Sequence, residues 1–286
     1  MNENTYLPPD LPDRKKLPIG VFDSGVGGLT IVKELLKFLP HESVIYFGDT
    51  ARVPYGTKSR STVLKFTTQA IEFFTTKGIK MLLIACNTSS SLALPDLKSE
   101  CDFPIYGVIE PGIREALNVT RTGRIGVIGT RATISSNIYQ KKLKALNPDV
   151  EVFSCPCPLF VPLVEEGWID DPITYKVARR YLDNLKKEDI DTLILGCTHY
   201  PLIKDVIQYV MGKNVALVDS ARAFAYEIKE ELKKLDLEND SNNNSQYEFY
   251  VSDEPEQFKQ LGSFFLGKEI SSVNRVDLEE YKRCMK

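Results

Sequence analysis

The chain of 286 residues carries 36 Lys and Arg against 39 Asp and Glu, a net charge of −3, which excludes a general attraction to nucleic acid or to an anionic membrane. That length suffices for one large domain or two of ordinary size, with a substantial buried core. No apolar run approaches a membrane-spanning helix and no signal-peptide core opens the chain, so a soluble, cytoplasmic protein is expected.

Residues 1–18 are polar and hold Pro8, Pro9, Pro12 and Pro18, which bar a helix and predict a flexible N-terminal extension. From Ile19 the pattern becomes strand, turn and helix. Ile19 to Phe22 reads as a strand and Asp23-Ser24-Gly25-Val26-Gly27-Gly28 as a glycine-rich loop. Leu29, Val32, Leu35, Leu36 and Leu39 then stand at helical spacing, closed by Pro40. Val44 to Phe47 is the next strand, followed by a long turn-rich loop, Gly48 to Gly56, of the kind that carries function. A helix from Ser59 to Lys77 ends at Gly78. The strand before Cys86 follows, with a helix expected to begin around Ser89, Ser90 and Ser91, whose N–H groups lower a nearby thiol pKa. Ile105 to Ile109 is the next strand, ending at Glu110-Pro111-Gly112.

The alternation then starts again: strand Arg124 to Ile128, helix Ser135 to Leu146, strand Val150 to Cys155, and a stiff connection from Pro156 to Pro162. A helix from Pro172 to Lys187 leads into Thr192 to Gly196, an apolar run without period-two alternation that suits a strand buried on both faces. Another helix follows Pro201. Val215 to Val218 is a strand, Ala221 to Leu235 a helix, Asp236 to Gln246 a surface loop, Tyr247 to Val251 a strand and Glu256 to Phe265 a helix. The fold class expected is α/β: two similar domains, each an open, mostly parallel sheet flanked by helices, with the active site in the cleft between them. The division expected is 19–110 plus 219–286 for the first domain and 111–218 for the second.

Two stretches echo one another. Leu82-Leu83-Ile84-Ala85-Cys86-Asn87-Thr88 and Leu193-Ile194-Leu195-Gly196-Cys197-Thr198-His199 each deliver a cysteine and polar residues at a strand end, where open α/β sheets bind ligands. The 6 cysteines contain no Cys-x-x-Cys pair, so reduced thiols are expected, and Cys155-Pro156-Cys157 with only His41 and His199 does not make a zinc site. No metal is expected. The first loop begins like a dinucleotide fingerprint, but its third glycine is replaced by Thr30 and Asp23 would repel a pyrophosphate, so no such cofactor is expected. A glycine turn letting the backbone approach a small ligand is the plainer reading. Cys101, Cys155, Cys157 and Cys284 lack a site context. A single cysteine is usually a small buried hydrophobe and a lone histidine a satisfied core residue. A duplicated thiol leaves open a redox pair, a nucleophile with a spare, or two proton-transfer bases. The duplication favours chemistry symmetric about a substrate plane, as inversion of a carbon acid requires. A two-domain protein that merely binds an amino acid, with inert cysteines, is the competing class.

The segments Phe22-Asp23-Ser24-Gly25-Val26-Gly27-Gly28, Val53-Pro54-Tyr55-Gly56, Ala85-Cys86-Asn87-Thr88 and Leu195-Gly196-Cys197-Thr198-His199 resemble the glutamate racemases of the cofactor-independent aspartate/glutamate racemase superfamily. The resemblance covers the chain from about Ile19 onward. It implies that Cys86 and Cys197 are the acid/base pair, Cys86 on the D-glutamate face and Cys197 on the L-glutamate face, with Asp23, His199 and Glu165 supporting the transfers. It further implies substrate binding by Asp23, Ser24, Pro54, Tyr55, Gly56, Asn87, Thr88, Thr130, Thr133, Thr198 and His199, no cofactor, and D-glutamate as a product for peptidoglycan synthesis. Aspartate racemase is the nearest alternative; the Cys-Thr-His segment and the Val-Pro-Tyr-Gly loop favour glutamate. A uridine-linked muramyl-alanine precursor as activator and a homodimer complete the partners that the resemblance brings into view.

Overall fold

The computed structural model describes residues 13–98, 101–240 and 245–281. Residues 1–12 of the expected extension, part of the 236–246 loop and Cys284 lie outside the described residues.

Two wholly parallel sheets form the frame. Strands β1 (Ile19–Asp23), β2 (Val44–Gly48), β3 (Met81–Ile84), β4 (Ile105–Gly107), β9 (Tyr247–Val251) and β10 (Asn274–Arg275) make the first, in the order β10-β9-β2-β1-β3-β4. Strands β5 (Arg124–Gly129), β6 (Glu151–Pro156), β7 (Thr192–Gly196) and β8 (Ala216–Val218) make the second, in the order β6-β5-β7-β8. Every residue of β1, β2, β3 and β7 is buried, as helices on both faces require. The helices are α1 (Leu29–Phe38), α2 (Arg60–Lys77), α3 (Asn87–Leu92), α4 (Leu94–Leu97), α5 (Ile109–Val119), α6 (Arg131–Ser135), α7 (Ile138–Leu146), α8 (Phe160–Glu165), α9 (Pro172–Lys186), α10 (Lys204–Met211), α11 (Ser220–Lys234) and α12 (Pro255–Leu266). One continuous apolar core runs from the α1 face of the first sheet into the second sheet, while a separate cluster under α2 fills the other face of the first. Among the described residues no helix is long and apolar enough to cross a membrane.

Local chemistry sets the ends. Ser59 caps α2 by accepting from Thr62 N at 3.3 Å, and Gly78 stops that helix at φ 67°. Asp171 and Asp219 cap α9 and α11 in the same way.

Several boundaries differ from the sequence reading. β4 stops at Gly107, and Ile109 to Gly112 belongs to α5, whose first turn accommodates Pro111 because its N–H has no helical partner there. Pro162 sits in the same way in the first turn of α8, so the expected stiff connection ends in a helix. The Ser135 to Leu146 helix is two pieces, α6 and α7, broken at Asn137 with φ 55°. Residues 13–18 are docked rather than free: Arg14–Lys16 form a 3-10 turn whose Lys15 carbonyl accepts from the Lys80 ammonium at 2.8 Å.

Candidate active site

Each sheet changes direction at the same place. In the first, β1 lies between β2 and β3; in the second, β5 lies between β6 and β7. The connections therefore leave to opposite faces at β1/β3 and at β5/β7, and the carboxyl ends at such switch points are where open α/β sheets bind ligands. The register pairs Phe22 with Ile84 and Gly129 with Gly196. Ser24 thus emerges beside Cys86, and Thr130 beside Cys197.

The two thiols meet different company. Cys86 immediately precedes α3, is 5 % exposed, and its thiol donates to Ser24 Oγ at 3.5 Å. Burial pushes that thiol up to about 11; the Asp23 charge adds to the rise, and donors from Ser89 and Ser24 oppose it. This corrects the expectation that a helix start lowers its pKa: α3 begins one residue after Cys86, yet exclusion of water outweighs its N–H groups. Cys197, 7 % exposed, has its Sγ 3.9 Å from Nδ1 of His199, whose Nε2 lies 3.0 Å from Glu165 Oε1. Burial pulls the imidazole down, but the hydrogen bonds and charges of Cys197 and Glu165 overcome it and raise His199 to about 10. Asp23, fully buried, is pushed up by burial against the opposing pull of His199 and of main-chain donors at Gly25 and Gly28. One sulfur therefore faces a carboxyl and hydroxyls, the other an imidazole that Glu165 holds.

The glycine-rich loop joins these halves. A Cβ on Gly27 would lie 2.3 Å from Thr198 Oγ1 and 2.5 Å from His199 Nδ1, so only glycine lets the first-sheet loop rest on the Cys-Thr-His segment. What this turn approaches here is the other half of the site. Thr198 Oγ1 reaches Asp23 Oδ1 at 3.4 Å, and Thr30 Oγ1 donates to the Thr198 carbonyl at 3.4 Å. Gly56 meets Thr130 in the same fashion. Thr88, Thr130 and Thr133 form a hydroxyl triangle with sides of 3.0, 3.2 and 3.0 Å that bridges α3 and α6.

The structure thus brings together Asp23, Ser24, Cys86, Asn87, Thr88, Thr130, Thr133, Cys197, Thr198 and His199, all buried, with Glu165 at their edge. Tyr55 is buried nearby, but its hydroxyl donates to Asp49, which also accepts from Arg52 Nε at 2.7 Å. Pro54 is exposed and its side chain stands outside the buried group. A cavity of about 620 Å³ between α2 and Glu280-Tyr281 contains none of these residues. Three neighbours escaped the sequence reading. Tyr139 donates to Asn87 Oδ1 at 2.6 Å, Tyr46 donates to the Gly25 carbonyl at 2.8 Å, and the Phe265 ring stands edge-on to His199 at 5.7 Å. Each sits in an ordinary apolar pattern that marks core and nothing more.

The family profile of the Asp/Glu/hydantoin racemases matches residues 27–228. The chain belongs to that family. It is an isomerase, a racemase, and its two parallel sheets have the architecture of solved relatives. A glutamate racemase from Geobacter metallireducens is 50 % identical over 264 residues, 92 % of this chain and 98 % of the relative. The crystal structure of glutamate racemase from Francisella tularensis in complex with D-glutamate is similar at 42 % identity and a TM-score of 0.88, covering 93 % of this chain and all of that one. Further off, Escherichia coli glutamate racemase in complex with L-glutamate and the activator UDP-MurNAc-Ala is 26 % identical with a TM-score of 0.75, covering 91 % of this chain and 98 % of that one.

Proposed function

We propose that this chain interconverts L- and D-glutamate by two-base proton transfer, with Cys197 working on the L face and Cys86 on the D face. The observation that carries the reading is the contrast between the sulfurs: Cys86 holds its proton up to about 11, while Cys197 stands beside an imidazolium held by Glu165. Racemisation needs that pairing, a thiolate to take the α-proton and a thiol to return one to the opposite face. In this reading the base for L-glutamate is Cys197 and the acid Cys86, and the reverse reaction begins with the two roles exchanged. Relatives that bear the glutamate racemase name, including one holding D-glutamate, support the choice of substrate.

The hydroxyls of Ser24, Thr88, Thr130, Thr133 and Thr198, the Asn87 amide and the backbone around Tyr55 and Gly56 supply the polar contacts for the two carboxylates and the ammonium in this reading. All but the edge of the group is closed from water, so the two halves, 19–110 with 219–286 and 111–218, part to admit substrate and close to hold it. D-glutamate then serves peptidoglycan synthesis. A uridine-linked muramyl-alanine compound is the candidate activator, by analogy with the Escherichia coli relative.

Polarimetry of L-glutamate incubated with the reduced protein, with and without that nucleotide and with no other addition, tests the substrate. Rotation is expected to decay to zero; rotation that persists in both arms overturns the proposal.

The pH profile supplies a second test. His199 is raised to about 10, so its cationic form prevails below that value and disappears as pH rises through it. The value for kcat/KM on L-glutamate is expected to fall on the alkaline side near 10, the Cys86 proton being lost only near 11. Glu165→Gln removes one of the groups that raise His199, and the alkaline limb is expected to move to lower pH. An unmoved limb contradicts the role given to Glu165.

A further inference from the structure

We propose that Ser89 is a positioning residue for Cys86, its hydroxyl turning to hold the sulfur when that sulfur carries negative charge. The inference rests on the two-base reading above.

Ser89 is fully buried in α3, three residues after Cys86 and on the same turn. Its neighbours on the helix have ordinary partners: Ser90 Oγ donates to the Ile84 carbonyl at 2.9 Å and Ser91 Oγ to the Thr88 carbonyl at 2.9 Å. The Ser89 hydroxyl does not. Closed off from water, its Oγ has no hydrogen-bond partner among the described residues in this arrangement. A buried hydroxyl without a partner is destabilising, and a small apolar residue would fill the position without that cost.

The sulfur beside it explains the exception. While Cys86 is a thiol it donates its proton to Ser24 Oγ, and a neutral sulfur is a weak acceptor that draws little from a second hydroxyl. Once the proton has gone to the substrate carbanion, the sulfur is a full anion in a dry site. The Ser89 hydroxyl and main-chain N–H and the Ser24 hydroxyl are the groups whose hydrogen bonds then favour it. They offset the burial and the Asp23 charge that act against the thiolate. A donor that is idle in the thiol and engaged in the thiolate stabilises the charged state alone, and that difference is what counts in a proton transfer. Cys197 has His199 for this purpose; in this reading Ser89 and Ser24 do the corresponding work at Cys86.

The test uses Ser89→Ala, with Ser89→Gly as a second deletion and Ser89→Thr to restore the hydroxyl, each checked by thermal melting. Because racemisation of free glutamate has an equilibrium constant of one, kcat/KM must fall equally in both directions, and a loss of about tenfold is expected for one charged hydrogen bond. The discriminating readout is the α-deuterium isotope effect on kcat/KM. Weakening Cys86 alone makes its proton transfer the slow step, so the effect is expected to rise with D-glutamate as substrate and to fall with L-glutamate, and Ser89→Thr is expected to return both toward the parent values. An isotope effect that moves equally for both enantiomers, or activity lost with both effects unchanged, overturns the assignment. Failure of the parent protein to racemise glutamate is a different outcome, which removes the function and the assignment with it.

Discussion

Replacement of Cys86 or Cys197 with serine is expected to lower racemisation by on the order of 10³-fold in both directions. A hydroxyl occupies nearly the volume of a thiol, so the buried shell around each position persists, but at neutral pH it is a far poorer base. The two variants are not expected to be equivalent. Cys86→Ser keeps Cys197 with its His199 and Glu165 partners, so it retains a base on the L face and none on the other. It should exchange the α-hydrogen of L-glutamate with solvent while leaving D-glutamate untouched, and Cys197→Ser should show the mirror pattern. Exchange of each enantiomer, followed by NMR in heavy water, checks this. Substantial racemisation by either variant, or exchange of both enantiomers by one of them, contradicts the assignment of one thiol to each face.

Lys80→Met is expected to destabilise the fold by about 3–5 kcal/mol, the usual result of removing one partner from a buried ion pair. The Lys80 side chain is 0 % exposed and that of Glu42 2 %, and the two are hydrogen-bonded to one another. Lys80 also donates to the carbonyls of Lys15 and Leu237 at 2.8 Å each, while Glu42 accepts from Asn239 N at 2.9 Å. One ammonium thus ties together the segment before β1, the turn before β2 and the chain leaving α11. Burial pulls the Lys80 pKa down and Glu42 pulls it back up. Methionine keeps most of the volume but strands a carboxylate and two carbonyls. Urea unfolding should show the loss, and the double variant Lys80→Met with Glu42→Leu should recover part of it, because the stranded charge is then gone. Activity per folded molecule should not change. A loss below about 1 kcal/mol contradicts the weight given to this pair.

How much of this was legible in the sequence depended on the range of the interactions involved. The α/β alternation and the two parallel sheets follow from short aliphatic runs such as Leu193-Ile194-Leu195, because burial on both faces leaves a local signature. The echo of Cys86 and Cys197 likewise reflects strands in equivalent positions of their sheets. The boundaries that moved were those where a local signal was overruled. Glu110-Pro111-Gly112 reads as the end of a strand, but Gly112 lies within α5, where a Cβ would sit 2.2 Å from Ser220 Oγ of α11, so the glycine serves close packing of two helices. The raised pKa of Cys86 was illegible for a related reason: the helix start is local, while the exclusion of water comes from residues far away in the chain. Gly27 reads as a turn that lets the backbone approach a small ligand, but what it approaches here is His199, far away in the chain. Only the family resemblance points to Glu165, since nothing near it in the chain announces a histidine 3.0 Å away.

The central claim, one thiol on each face of the α-carbon, is tested most directly by following L-glutamate in heavy water with the unaltered protein. The proton removed by Cys197 and the one delivered by Cys86 are then different atoms, the second having exchanged with solvent on the thiol. The D-glutamate first formed should carry deuterium at the α-carbon, while the remaining L-glutamate stays largely unlabelled at early times. D-glutamate that retains the original hydrogen, or deuterium entering the L pool as fast as the D pool, would contradict the two-thiol account.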